Sequence, residues 1–316
     1  MKKSQAYFYH LIIIFSVASW GFNVVATKVL VTTFMPITVT SFRIMTASIC
    51  VFIVLYFIKK VRIPTRSEFV YIFFGGLFNV VGHHYFLSIG LTETSAANGG
   101  LILGLGPLLT TILAFFFLGN KATIFRMIGI ILGFTGVSFI VVKSSGNISG
   151  ISIGDIYVFL SILSQAISFI IIKKSSTTMD PRLTTGYMLA IGSVILFIIS
   201  LVKEPSGLHS LSNGSFGIWI TFFASAIIAT ALGHMFYNYG IEKVGVTEAS
   251  IYMNLTPFFS LVGAFFFIGE KIALAHILGF VLILIGVLLG SGTLEGWIYT
   301  TKQKRKVVYE RKVKSS

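Results

Sequence analysis

The chain has 316 residues, of which 55% are hydrophobic, 15% aromatic and 11% charged, with a formal net charge of +14. Soluble domains average about 45–50% apolar and about 25% charged residues, so the composition excludes a water-soluble fold and suits lipid as solvent. The basic excess does not point to nucleic acid, because much of it sits in a C-terminal tail (Lys302, Lys304, Arg305, Lys306, Arg311, Lys312, Lys314) and in short loops between apolar runs, the distribution expected of cytoplasmic loops.

In lipid every backbone N–H and C=O must be paired internally, so only helices or closed barrels span. Barrel strands alternate apolar and polar residues, whereas runs such as 128–142 and 277–289 are unbroken. The expectation is an all-α membrane protein. Lys2 and Lys3 precede an apolar stretch from about Leu11 to Val31, too long for a signal-peptide core of about 7–15 residues, so it reads as an uncleaved first helix. A spanning helix needs about 20 apolar residues. Ten segments qualify, at 10–32, 37–58, 68–90, 94–118, 122–142, 153–173, 183–202, 215–239, 245–269 and 272–292. The fourth opens with the polar stretch Thr92-Glu93-Thr94-Ser95, and the longest polar link, 203–215, contains Pro205 and several Gly and Ser, a surface loop.

With the N-terminus inside, the inner segments hold Lys2, Lys3, Lys59, Lys60, Arg62, Arg66, Lys121, Arg126, Lys173, Lys174, Arg182, Lys243 and the tail. The outer ones hold only Lys28, Lys143, Lys203 and Lys271. The asymmetry predicts a multi-pass protein of the plasma membrane with both termini cytoplasmic. Cys50 is the single cysteine, so no internal disulfide forms, and no metal-ligand spacing is present. There is also no phosphate-cradling P-loop, zinc-binding His-Glu-x-x-His or Gly-x-Ser-x-Gly elbow. Neither enzyme, cofactor nor ATP-driven pump is expected.

The sequence repeats itself. At a shift of 150 residues, Gly90 meets Gly240, Pro107 meets Pro257 and Ala114-Phe115-Phe116-Phe117 meets Ala264-Phe265-Phe266-Phe267. Gly119, Lys121, Gly129 and Gly136-Val137 then meet Gly269, Lys271, Gly279 and Gly286-Val287, while His84 meets His234 and Phe86 meets Phe236. At a shift of 145, Ser16, Ser19, Lys28 and Pro36 meet Ser161, Ser164, Lys173 and Pro181. Such residues are not drawn from the apolar pool, so the register signals duplication. Residues 10–145 and 150–293 form the two halves, flanked by an N-terminal segment, 1–9, and a basic tail, 294–316. Five spans per half is an odd number, so the second half enters the membrane from the opposite side. The expected fold is two inverted five-helix repeats, an arrangement that gives a carrier two near-equivalent states around a midplane site.

The motifs resemble the EamA-type transporters of the drug/metabolite transporter superfamily. Each half has a Pro-containing fourth helix ending in Gly-x-Lys (Gly119-Asn120-Lys121 and Gly269-Glu270-Lys271) and then a Gly-rich fifth helix. The first helix carries Trp20-Gly21-Phe22-Asn23 and Lys28, and the second carries Arg43. The resemblance covers about residues 10–292, and Asn120 departs from the usual Gly-Glu at its turn. It implies a central cavity lined mainly by the first, third, fourth, sixth, eighth and ninth helices, and export or exchange of amino acids or other metabolites.

Polar residues within apolar helices are costly and usually face a protein interior or a cavity. Arg43 lies about seven residues into its span; it either holds an anionic substrate group or snorkels, or bonds backbone carbonyls at a helix break. Lys28 is nearer a helix end and reads as snorkelling. The repeat-equivalent His84 and His234 fit proton coupling or a helix–helix hydrogen bond; with His83 they do not make a metal site. Asn98 and Ile102 match Glu248 and Tyr252, and Gly104 matches Asn254. Glu248 would hold a proton or a substrate amine, or sit at the membrane edge. Trp20 matches Gln165 and Asn23 matches Ser168; these line the cavity, or Trp20 simply packs. Asn238 completes the substrate-binding candidates on the eighth span. Gly99, Gly100, Gly104 and Gly106 before Pro107 allow that helix to bend. The phenylalanine runs read as lipid-facing or packing surface. The Gly-x-x-x-Gly spacings at Gly129/Gly133 and Gly286/Gly290 read as close packing within the chain or a homodimer face.

The expected function is secondary transport of a small polar metabolite by alternating access. The alternatives are a passive channel on the same fold, or a membrane sensor or enzyme. The partners expected are a small-molecule substrate and membrane lipid.

Overall fold

The computed structural model describes residues 3–119, 123–144, 152–175, 179–244 and 252–290. All regular structure among them is helical. We label the helices α1 (Lys3–Thr33), α2 (Pro36–Phe57), α3 (Arg66–Glu93), α4 (Ala96–Phe117), α5 (Ile124–Ser144), α6 (Ile153–Ser175), α7 (Pro181–Lys203), α8 (the successive segments Phe216–Phe223, Ala224–Leu232 and Gly233–Val244), α9 (Thr256–Ile268) and α10 (Leu274–Gly290). Among the described residues, seven spans are long and apolar enough to cross a membrane, and the shorter apolar helices Ile124–Phe139, Thr256–Ile268 and Leu274–Gly290 lie in the fifth, ninth and tenth predicted segments.

Local chemistry sets the helix ends. Thr65 and Glu68 form a capping box at the start of α3. Asp180 caps α7, and its hydrogen bonds from the Arg182 side chain hold its carboxyl below the usual carboxylate range. Two remote carboxylates also act as caps. Glu204 accepts from Ile37 N and Thr38 N at 2.9 and 2.7 Å at the start of α2, and Glu270 accepts from Ala96 N and Ala97 N at 2.8 and 2.9 Å at the start of α4. A negative charge there answers both the unpaired N–H groups and the helix dipole.

The duplication is visible in the backbone. Gly119 and Gly269 end α4 and α9 with φ of 68° and 67°, and each N–H bonds the carbonyl of the repeat-equivalent Ala114 or Ala264. Glycine carries no steric penalty in that left-handed region. α4 is interrupted by a turn at Gly104-Leu105, and Asn254-Leu255 forms the matching turn before α9. Pro107 and Pro257 follow each interruption at the first positions of the resumed helix, where proline's missing N–H costs nothing.

Equivalent helices pack on each other in antiparallel pairs, α2 with α7 and α5 with α10. Along α5 and α10 a Cβ at Gly129 would lie 2.2 Å from Gly290 N, and one at Gly136 would lie 2.9 Å from Gly279 O. The numbering rises on one helix as it falls on the other. Likewise, Thr38 of α2 lies by Glu204 and Ser48 by Gly186. The remaining principal packings obey the same exchange: α3 on α6 mirrors α8 on α1, and α4 on α6 mirrors α9 on α1. Only inverted halves give this pattern. The glycine-spaced faces of α5 and α10 are therefore filled within the chain. Phe116, Phe117, Phe265, Phe266 and Phe267 are exposed, on the outer face that lipid covers.

One feature was not expected. The middle of α3, Leu77–Gly82, and of α8, Ala224–Leu232, winds as π-helix. Shifting the first by 150 residues places it at 227–232, inside the second. Such wider turns loosen the backbone ladder and frequently mark functional sites. Here they release carbonyls to the opposite half. Ser164 of α6 donates to Phe78 O at 2.9 Å, and Trp20 of α1 donates through Nε1 to Ala229 O at 3.0 Å.

Candidate functional site

The two π segments position a buried polar cluster between the halves. Arg43 lies seven residues past Pro36, the first residue of α2, which is about 10 Å along the helix axis, and its side chain is 1% exposed. Buried in this way it does not snorkel, and it bonds no backbone carbonyl among the described residues. Its Nη1 donates to Ser225 Oγ at 3.3 Å and Thr230 Oγ1 at 3.2 Å, both on the α8 π segment. Its Nη2 meets His84 Nδ1 at 3.4 Å. A guanidinium only donates, so His84 accepts at Nδ1 and carries its proton on Nε2. Ser225 in turn donates to Asn23 Oδ1 on α1.

The cluster continues on both sides. His234 Nδ1 donates to Thr230 O at 2.7 Å. The Trp20 ring lies 4.9 Å from the His234 ring and 4.9 Å from Tyr237. On the other flank, His83 packs edge-on against His84, and its Nδ1 lies 2.8 Å from Ser161 Oγ and 3.2 Å from Ser161 O of α6. Asn79 donates to Ser168 Oγ at 2.8 Å. The structure thus brings together Trp20, Asn23, Arg43, His84 and His234 out of the residues singled out in the sequence.

Others stand apart. Asn98 is buried at the start of α4, where His276 contacts its Oδ1 at 3.1 Å. His276 Nδ1 accepts from Ala273 N, so its Nε2–H is the donor to Asn98. Tyr252 pairs through its hydroxyl with His10 Nδ1 at 3.1 Å. Asn254 is buried in the turn before α9. Gln165 is half-buried on α6 and forms no side-chain hydrogen bond among the described residues. Glu248 and the side chain of Asn238 lie outside the described residues. Lys28 is tied at the end of α3, donating to Leu91 O and Thr94 O at 2.6 and 2.8 Å.

Ser225, Thr230 and Ser161 were not selected as site residues from the sequence. Ser161 carried a signal, its repeat match with Ser16. Ser225 and Thr230 had none, since their shifted mates are Gly75 and Val80. Among the described residues no three metal-ligating side chains converge. An open apolar groove of about 830 Å³ between α2 and α7 is lined by uncharged residues, including Ile49, Phe52, Tyr56 and Val194. Ile49, Ile53, Tyr56, Phe57 and Val194 along it are exposed, so it opens on the outer surface of the bundle.

Comparison with known proteins agrees with this architecture. The sequence pattern of the EamA-like transporter family matches residues 7–142 and again 152–292. The uncharacterized transporter YyaM of Bacillus subtilis (strain 168) is 31% identical over 277 residues, covering 86% of this chain and 89% of its own. An uncharacterized transporter of Archaeoglobus fulgidus is 26% identical over 277 residues, covering 88% and 96%. A crystal structure superposes with a TM-score of 0.63 at 17% identity over 89% of this chain, a likeness of fold alone. These relatives are transporters and not enzymes by name, and the chain is a multi-pass membrane protein of two matched halves: it belongs to the EamA-like transporter family.

Proposed function

We propose that this transporter is a secondary carrier of a small polar metabolite, an exporter or exchanger that works by alternating access in the plasma membrane with both termini cytoplasmic. The observation that carries this reading is the polar cluster linking Trp20 and Asn23 of α1, Arg43 of α2, His84 of α3, and Ser225, Thr230 and His234 of α8. Helices of both inverted halves contribute to it, so rocking one half against the other alters the cluster's access to each side. Buried polar groups in a span are expensive, and lining a substrate path is a reason for their presence. Inversion supplies two related states, which a receptor or enzyme has no need of.

The test begins with untargeted metabolite profiling of cells with and without the gene, followed by flux in reconstituted vesicles. A carrier shows saturable counterflow, in which external substrate accelerates exit of labelled internal substrate. Flux that rises linearly without exchange would instead identify a channel. His234→Ala and Glu248→Gln are expected to lower transport with insertion intact; normal transport by both removes these residues from the mechanism.

A further inference from the structure

We infer that the central cluster receives a carboxylate group, with Arg43 as the residue that binds it; this rests on the carrier reading above and names its substrate class. The argument starts from charge. Arg43 is almost completely buried, and a buried cation is ordinarily paired with an anion. Its partners among the described residues are two hydroxyls and one imidazole nitrogen, all neutral.

Among the described residues, the carboxylates that could have answered it are used elsewhere. Asp155 accepts from Thr94, Glu204 caps α2, Glu270 caps α4, Glu68 holds Arg62, and Asp180 holds Arg182. Glu93 is exposed at the end of α3.

Donor stoichiometry points the same way. A guanidinium has five N–H groups. Three hydrogen bonds engage Arg43, two at Nη1 and one at Nη2, so two N–H groups have no partner among the described residues. His84 adds its Nε2–H, because its Nδ1 is taken by Arg43. The cluster therefore offers surplus donors around one positive charge. A carboxylate supplies one negative charge and two acceptor oxygens, which match the guanidinium fork. A phosphate dianion would leave a net negative charge in a water-poor span where the described residues provide no second cation. An amine lacking a carboxylate would meet like-charge repulsion from Arg43. An amino acid qualifies through its carboxylate if its ammonium lies away from Arg43. Trp20 and Tyr237, 4.9 Å apart between rings, offer an aromatic wall for an apolar portion.

The test uses the purified full chain in proteoliposomes loaded with a defined mixture of small metabolites. Half of the compounds carry one carboxylate and half carry none, and protein-dependent exit is followed by mass spectrometry. The expected result is exit of the carboxylate half, reduced at least tenfold by Arg43→Gln and reduced less by Arg43→Lys, which keeps the charge and loses the fork. Size-exclusion profile and helical circular dichroism check folding. If Arg43→Gln does not fold, the wild-type pattern of exit and the Arg43→Lys rate decide. Exit confined to compounds without a carboxylate, or carboxylate exit unchanged in Arg43→Gln, overturns the inference and leaves the carrier reading standing. Exit of nothing above protein-free liposomes overturns both. Loss of function in Glu248→Gln that is restored in the Arg43→Gln/Glu248→Gln double variant also overturns it, because Glu248 would then be the counter-charge.

Discussion

Arg43 Nη2 and His84 Nδ1 lie 3.4 Å apart, and because the guanidinium cannot accept, this contact fixes His84 as a neutral acceptor toward α2. The pair joins the guanidinium to the segment that follows the α3 π-helix. Hydrogen bonds to charged groups contribute about 1.5–3 kcal/mol, and more is lost when one partner is left buried and unsatisfied. His84→Gln keeps an acceptor and is expected to retain transport within a few-fold of wild type. His84→Leu removes it and is expected to lower transport about tenfold or more, since about 1.4 kcal/mol corresponds to a factor of ten. Initial exit rates of the same substrate mixture from proteoliposomes measure both. Equal rates for the leucine and glutamine variants would show that Arg43 does not need this partner.

The α5–α10 pair leaves no room for a side chain at its centre. A Cβ at Gly129 would sit 2.2 Å from Gly290 N and 2.5 Å from Gly286 O, and backbone cannot turn aside as a flexible side chain can. Overpacking costs typically about 1–3 kcal/mol, and a backbone clash lies at the upper end. Gly129→Val is expected to lower the melting temperature in detergent and the monodisperse yield. Gly217→Ala, where a Cβ meets nothing within 4 Å, is the matched control and is expected to behave as wild type. Thermal unfolding followed by intrinsic fluorescence compares them.

The reach of the sequence can be seen in these same residues. The repeated Gly and Pro positions reveal the duplication because each has a backbone job that apolar side chains do not share: left-handed caps at Gly119 and Gly269, resumed helices at Pro107 and Pro257, close approach at Gly129 and Gly286. Odd spans per half then implied inversion. The third and eighth spans, by contrast, looked like uniform apolar helices. Their π segments follow from tertiary demand, since the freed carbonyls accept from Ser164 and Trp20 of the opposite half. Ser225 and Thr230 were illegible for a related reason. A hydroxyl in an apolar helix usually bonds its own preceding turn, and only the fold shows that Arg43 reaches these two. Asn98 drew attention as a polar residue in a span, yet it is engaged by His276 near the Glu270 cap. Spacing alone cannot separate such a helix-end network from a cavity lining.

Glu204 and Glu270 are predicted to matter for stability although neither belongs to the central cluster. Each carboxylate accepts from two successive N–H groups at the start of a helix in the other half. Loss of a capping side chain costs about 0.5–2 kcal/mol, and charge facing a helix N-terminus adds about 0.3–1 kcal/mol. Glu270→Ala is expected to destabilise more than Glu270→Gln, which keeps one acceptor oxygen, and Glu204→Ala is expected to resemble Glu270→Ala. Melting curves in detergent give the order. A glutamine variant as weak as the alanine variant would mean that the charge, and not the accepted hydrogen bonds, does the capping.

Sidedness follows from the antiparallel pairs and can be measured without knowing the substrate. Lys59, just beyond α2, and Ser212, between α7 and α8, are both exposed, and they lie at opposite ends of the bundle because Glu204 at the end of α7 sits on the start of α2. In a Cys50→Ala background, Lys59→Cys and Ser212→Cys are expected to react with a membrane-impermeant maleimide from opposite sides. Positive-inside asymmetry predicts that Lys59, together with Lys60, Arg62 and Arg66, faces the cytoplasm, so Ser212→Cys is expected to label in intact cells and Lys59→Cys only after permeabilisation. Tags on the two termini should share the Lys59 side. Labelling of both cysteines from one side would contradict the inverted packing of α2 on α7. Labelling with the sides exchanged would keep the packing and reverse the orientation, making the basic loops external against the charge rule.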